Sequence, residues 1–156
     1  MIVDITAGSH RTEQEIGYFA DLCFDANPRD TRTIKAEWSS LPIESSSVDL
    51  LVFDPPHQVY GHGKNSWLVD RYASFENCIS AKESLERAFA EISRVLKPNG
   101  VCLLKWSTNH KPLKWIVDLS KMQSNIIYER PSLAAHPEKP FSHNATVYWV
   151  ELWRTA

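Results

Sequence analysis

Between Ser45-Ser46-Ser47 and Asp54-Pro55-Pro56-His57 lies a six-residue run, Val48-Asp49-Leu50-Leu51-Val52-Phe53, that is apolar except for Asp49. Bounded by a serine turn and a proline pair, it is too short for a typical helix. It reads as a strand buried on both faces. Strands of that kind belong to parallel sheets, whose crossover helices cover both sides, so this segment points to an α/β layer architecture. The two prolines end it abruptly, because neither has an N–H to offer a sheet ladder.

The rest of the chain alternates in the same way. Met1 to Ile5 is a short apolar run ending at Thr6-Ala7-Gly8, and Ile16, Phe19, Ala20 and Cys23 recur at helical spacing, predicting a helix over Arg11 to Leu22. Leu22 to Phe24 reads as a second strand, closed by Asp25 and Asn27-Pro28, and Thr33 to Ala36 as a short third. Gln58 to Phe75 has no period and reads as a long loop. Ser80-x-x-Glu83 is a capping-box pattern opening a helix with Leu85, Phe89, Ile92 and Leu96 on one face. Lys97-Pro98-Asn99-Gly100 is expected to stop that helix. Val101 to Trp106 is another buried-type strand, Leu113 to Met122 a helix, and Asn125 to Tyr128 a strand. Pro131 to Pro140 reads as a loop and Ala145 to Trp153 as the closing strand. Strands alternating with helices predict a doubly wound parallel sheet, in which ligands bind at the carboxyl ends of the strands.

Bulk properties narrow the function. The 156 residues suit one domain covering 1–156. Hydrophobic residues at 43% and charged residues at 23% fit a globular chain. No run of about 18 apolar residues is present, which predicts no membrane span. Met1-Ile2-Val3-Asp4 lacks signal-peptide features, and three scattered cysteines predict neither a disulfide framework nor a zinc site, so a cytoplasmic location without metal is expected. The net charge of −2 and pI near 6.3 argue against tight non-specific binding to nucleic acid, though not against a nucleic-acid substrate. The sequence leaves the oligomeric state open.

Three features following predicted strands carry chemistry. Asp4-Ile5-Thr6-Ala7-Gly8 places a glycine where a strand turns, letting backbone approach a ligand. Asp25, twenty-one residues beyond Asp4, stands where a carboxylate can accept ribose hydroxyls. Asp54-Pro55-Pro56-His57 is the strongest. A carboxylate beside a proline carbonyl without a ladder partner makes two acceptors aimed at one point, which suits the two N–H donors of an amino group and turns its lone pair outward. The basic residues His110, Lys111, Lys114 and Lys121 read as a solvated face, and the tryptophans at 106, 115, 149 and 153 as packing.

Together these motifs resemble class I S-adenosylmethionine-dependent methyltransferases along nearly the whole chain. Asp4 to Gly8 stands at the family's glycine-containing first motif, Asp25 at its ribose-binding acid, and Ala36-Glu37 at its adenine-contacting pair. Asp54 to His57 stands at the Asp-Pro-Pro-aromatic fourth motif of amino-group methylases, and Ile92 to Gly100 at the passage into the fifth strand. Asp54-Pro55-Pro56-His57 with Gly63-Lys64-Asn65-Ser66-Trp67 is similar to small methyltransferases of phages and bacteria.

The resemblance implies a Rossmann-like, mostly parallel seven-stranded sheet with an antiparallel last strand. It implies S-adenosylmethionine held by Asp4, Thr6, Ala7, Gly8, Asp25, Glu37, Trp38 and Asp54. Asp54, Pro55, Pro56 and His57 would be catalytic, with Lys64, Asn65 and Trp67 on a loop over the substrate. Two departures stand out: the first motif has one glycine, and His57 replaces the usual aromatic. An imidazole can stack on a base or move protons near neutral pH. The expected activity is N-methylation of a nucleobase in DNA or RNA. A methyltransferase for a protein or small molecule, with His57 as base, and a silent cofactor-binding subunit are the alternatives.

Overall fold

The computed structural model describes residues 1–7, 20–28, 31–59, 75–131 and 145–154. Strands β1 (Ile2–Asp4), β2 (Leu22–Asp25), β3 (Ile34–Lys35), β4 (Val48–Phe53), β5 (Leu96–Ser107), β6 (Gln123–Pro131) and β7 (Thr146–Trp153) form one seven-stranded sheet of order β3-β2-β1-β4-β5-β7-β6. Pairings from β3 through β5 are parallel, and β7 runs antiparallel to both β5 and β6. This is the Rossmann-like sheet with a reversed last strand that the motifs imply. From β1 the sheet grows outward to β2 and β3, then resumes on the other side of β1 with β4. The β1/β4 boundary is therefore the switch point, where open α/β sheets bind ligands.

Among the described residues two helices, α1 (Cys78–Val95) and α2 (Leu113–Ser120), cover one face of the sheet. Alternate residues of the central strands face them: Leu51 and Phe53 of β4 and Cys102, Leu104 and Trp106 of β5 are fully buried. Phe53 meets Phe89 of α1 edge-to-face at 5.7 Å, and Trp106 lies 6.0 Å from Trp115 of α2. The other set, including Leu50, Val52, Leu103 and Lys105, is only half buried. The helix expected over Arg11 to Leu22 lies, up to Phe19, outside the described residues, as does most of the loop expected over Gln58 to Phe75 and of that over Pro131 to Pro140. No described helix is long and apolar enough to cross a membrane.

Two expectations require correction. The capping box lies one turn earlier than Ser80-x-x-Glu83: Asn77 is the cap, its Oδ1 accepting from the Ile79 and Ser80 N–H groups at 2.9 Å each. The Asn77 N–H in turn donates to Ser80 Oγ at 3.2 Å. Asparagine caps as well as serine does, and the Ser80 hydroxyl is short enough to reach back as the third-position partner. Lys97-Pro98-Asn99-Gly100 does follow directly on the end of α1, which stops in extended backbone at Leu96, but the tetrapeptide is already part of β5, which begins before Val101.

The tetrapeptide is a bulge. Val48 pairs with Leu96 and Leu50 with Val101, so two steps along β4 match five along β5. Lys97 Nζ pins it to Asp49 at 2.7 Å, and Lys97 together with the amino terminus holds the exposed Asp49 carboxyl down to about 2. Gly100 is needed because backbone crowds it: a Cβ there would lie 2.7 Å from the Val48 carbonyl oxygen. Gly100→Ala is accordingly expected to destabilise the fold by roughly 1–3 kcal/mol, read from the midpoint of urea unfolding. An unchanged midpoint would show that the bulge is not held against β4.

Candidate active site at the carboxyl ends of β1, β4 and β5

The site starts from the ends of two neighbouring strands. β1 finishes at Asp4, a buried residue only 5% exposed. The chain then runs on extended, its Ile5 N–H donating to Val52 O on one side and its Ala7 N–H to Phe24 O on the other, at 3.2 and 3.1 Å. Thr6 lies between them. Its N–H donates to Asp4 Oδ1 at 2.8 Å, and its hydroxyl lies 3.4 Å from the same oxygen. That hydroxyl oxygen also accepts the Asp54 N–H at 2.7 Å. Since Pro55 and Pro56 have no N–H, Asp54 carries the last donor of β4, and Thr6 takes it.

The register then brings in a residue for which the sequence gives only a slight signal. Phe53 pairs with Leu104, so Asp54 is level with Lys105 on β5, on the half-buried face. Lys105 Nζ lies 2.5 Å from Asp54 Oδ2 and 5.9 Å from the centre of the Trp149 ring on β7. Lys105 is the one charged residue of the Val101–Trp106 run, and Trp149, read from sequence as packing, lies beside it. Among the described residues neither Asp54 Oδ1 nor the Pro55 carbonyl accepts a hydrogen bond. Among the described residues, two acceptors at the end of β4 are thus without a donor.

Pro55 is buried, while Pro56 and His57 are half buried. Burial is the main force pushing the His57 imidazole below its ordinary value of 6.5; Asp54 opposes it, and Lys105 and His110 reinforce it. His57 is therefore neutral at neutral pH. Val59 and Phe75 are both buried, with the Phe75 N–H donating to Gln58 O at 3.4 Å. Residues 60–74 separate them in sequence. Lys64, Asn65 and Trp67 lie among them, outside the described residues, as does Gly8.

The remaining expected residues occupy the β2–β3 side of the same edge. Asp25 ends β2, its Oδ1 accepting the Asn27 N–H at 2.7 Å to turn the chain, while its carbonyl accepts from Ala36 at 3.1 Å. At a strand spacing of about 4.8 Å, Asp25 stands roughly 10 Å from Asp54 along the edge. Glu37 is exposed and opens a tight turn closed by Ser40 N–H to Glu37 O at 2.9 Å. Trp38 is half buried. Its Nε1–H donates to Ser84 Oγ of α1 at 3.2 Å, and its ring meets Phe53 edge-to-face at 5.8 Å. Among the described residues no group of three His, Cys, Asp or Glu side chains is placed to hold a metal ion.

No protein-family model matches the sequence, and no curated protein matches it. Solved structures do match in fold. A SAM-dependent methyltransferase from Methanosarcina mazei aligns over 99% of this chain and 92% of its own, with TM-score 0.59 and 16% identity. The PH0226 protein from Pyrococcus horikoshii aligns over 98% and 81%, with TM-score 0.60 and 12% identity. The [4+2]-cyclase SpnF aligns over 99% and 74%, with TM-score 0.57 and 11% identity. The chain thus has the fold found in SAM-dependent methyltransferases. That fold also hosts a cyclase, so the reaction must be argued from the site.

His57 should titrate below 6.5 in an NMR pH titration. Asp54→Asn should lower its midpoint further by removing a nearby negative charge, and Lys105→Met should raise it by removing a positive one. Shifts of the opposite sign would rule out the arrangement around Asp54.

Proposed function

We propose that the chain is an S-adenosylmethionine-dependent methyltransferase acting on an amino nitrogen of a nucleobase in DNA or RNA. The observation that carries this reading is the pair of open acceptors at the end of β4, Asp54 Oδ1 and the Pro55 carbonyl, on a backbone fixed by two prolines and by Thr6. An amino group donating one N–H to each has its lone pair directed away from both. Fixing a nucleophile in this way removes much of the entropic barrier to transfer.

The edge fits the cofactor by chemistry. S-adenosylmethionine, when bound, supplies an electrophilic methyl on a cationic sulfur. Asp4 and Asp25 give this edge carboxylates at the ends of β1 and β2. Asp25 would take the ribose hydroxyls, and the small Ala7, with Gly8 after it, lets backbone approach the ligand. Glu37 and Trp38 would border the adenine side. The half-buried, neutral imidazole of His57 can stack on a base drawn out of its helix, the task of the aromatic that usually follows such prolines.

The same neutral imidazole favours a second reading, in which His57 takes a proton from an acceptor on a protein or small molecule. Calorimetry with S-adenosylmethionine, then labelled methyl transfer to DNA, RNA, protein and metabolite pools, separates the two. Binding without an acceptor in any pool points to a silent cofactor-binding subunit. Asp54→Ala should reduce transfer roughly 100-fold or more with cofactor affinity nearly unchanged. An Asp54→Ala protein with normal activity excludes the acceptor role.

A further inference from the structure

The Lys105–Asp54 pair alters what the site can accept. A carboxylate at the end of a strand would, unpaired, attract a protonated amine as readily as an uncharged one. Here Oδ2 is already engaged by an ammonium at 2.5 Å, which also lies 5.9 Å from the centre of the Trp149 ring. The register leaves little freedom, since Lys105 is the cross-strand neighbour of Asp54 on the same face. Any group donating to Oδ1 or to the Pro55 carbonyl then comes close to a positive charge. An uncharged amino group loses nothing by this. An ammonium meets like charge in a half-buried corner, where repulsion is screened less than in open water. Its other route is to shed the proton first, and for an amine of ordinary lysine pKa the neutral form near pH 7 is only about one part in a thousand or less.

Resting on the methyltransferase reading above, we propose that Lys105 is a specificity-determining residue that restricts the acceptor to nitrogens uncharged at neutral pH, of the conjugated exocyclic-amine type found on nucleobases, and excludes alkyl ammonium groups. The pairing also aims the Asp54 carboxylate, with one oxygen spent on Lys105 and one left for the acceptor.

The test compares the full-length protein with Lys105→Met and Lys105→Arg, using labelled S-adenosylmethionine and three acceptors: an adenine- and cytosine-containing oligonucleotide in DNA and RNA forms, a glutamine peptide and a lysine peptide. Cofactor affinity and the unfolding midpoint establish that each variant is folded. The wild type is expected to methylate the oligonucleotide and not the lysine peptide. Lys105→Met should narrow the ratio of kcat/KM between them at least tenfold, mainly through a lower KM for the lysine peptide, and Lys105→Arg should restore it. Transfer to the glutamine peptide alone supports the role of Lys105 and overturns the nucleobase reading. Transfer to the oligonucleotide with a ratio unmoved by Lys105→Met overturns the role of Lys105 and leaves the nucleobase reading standing. Wild-type transfer to the lysine peptide, or to none of the three, overturns both.

Discussion

The Thr6 hydroxyl, set between the Asp4 carboxylate and the Asp54 amide, is the contact on which the site's geometry depends. A strand that ends in two prolines has no further donors, and its last amide would lie half buried without a ladder partner. An isolated hydrogen bond of this sort contributes only about 1 kcal/mol net. Its geometric consequence is greater, because it fixes the end of β4 to the end of β1. Those two ends carry Asp54 and Asp4, and the boundary between them is the point where the sheet reverses its direction of growth. The position of the acid that follows β4 is thus set by a threonine just beyond the end of β1.

The sheet's two faces are used unequally, and this explains how a lysine reaches the site. On one face Phe53, Leu104 and Trp106 are sealed under α1 and α2. A charged side chain there would have to be desolvated without compensation. On the other face Leu50, Val52 and Leu103 are half buried, so an ammonium at position 105 keeps partial hydration while lying against the Trp149 ring and the Asp54 carboxylate. An ion pair this exposed contributes little to stability. Its consequence lies in the electrostatics of the corner.

Much of the architecture was legible because it depends on local pattern. β4 has the boundaries that its apolar run and prolines define, and β2 ends on Asp25 as the Asn27-Pro28 turn requires. The misread places depend on partners far away in sequence. Ser80 looks like a cap until Asn77 is seen to hold both amides. Lys97-Pro98-Asn99-Gly100 does follow the helix end, but that it belongs to β5 shows only when the Val48 carbonyl is seen close against Gly100. The motif residues of the site were legible at β1, β2 and β4. The Asp54–Lys105 contact was not, because the pairing of β4 with β5 spans fifty-one positions and a single lysine in an apolar strand does not announce its neighbour.

The charge along the strand ends also bears on how an acidic chain can serve a nucleic acid. A net charge of −2 argues against affinity that comes mainly from neutralising phosphates. On the proposed reading the recognised group is instead an uncharged base, held by stacking on His57 and by two hydrogen bonds, with the phosphates left in solvent. Carboxylates at the ends of β1 and β2 suit a cationic sulfur, whereas the corner toward β5, where Lys105 offsets Asp54, suits a neutral nitrogen. The two halves of the edge thereby present different potentials to the two reactants. A fold shared with a [4+2]-cyclase acquires its selectivity from such differences between side chains at the strand ends, not from the sheet itself.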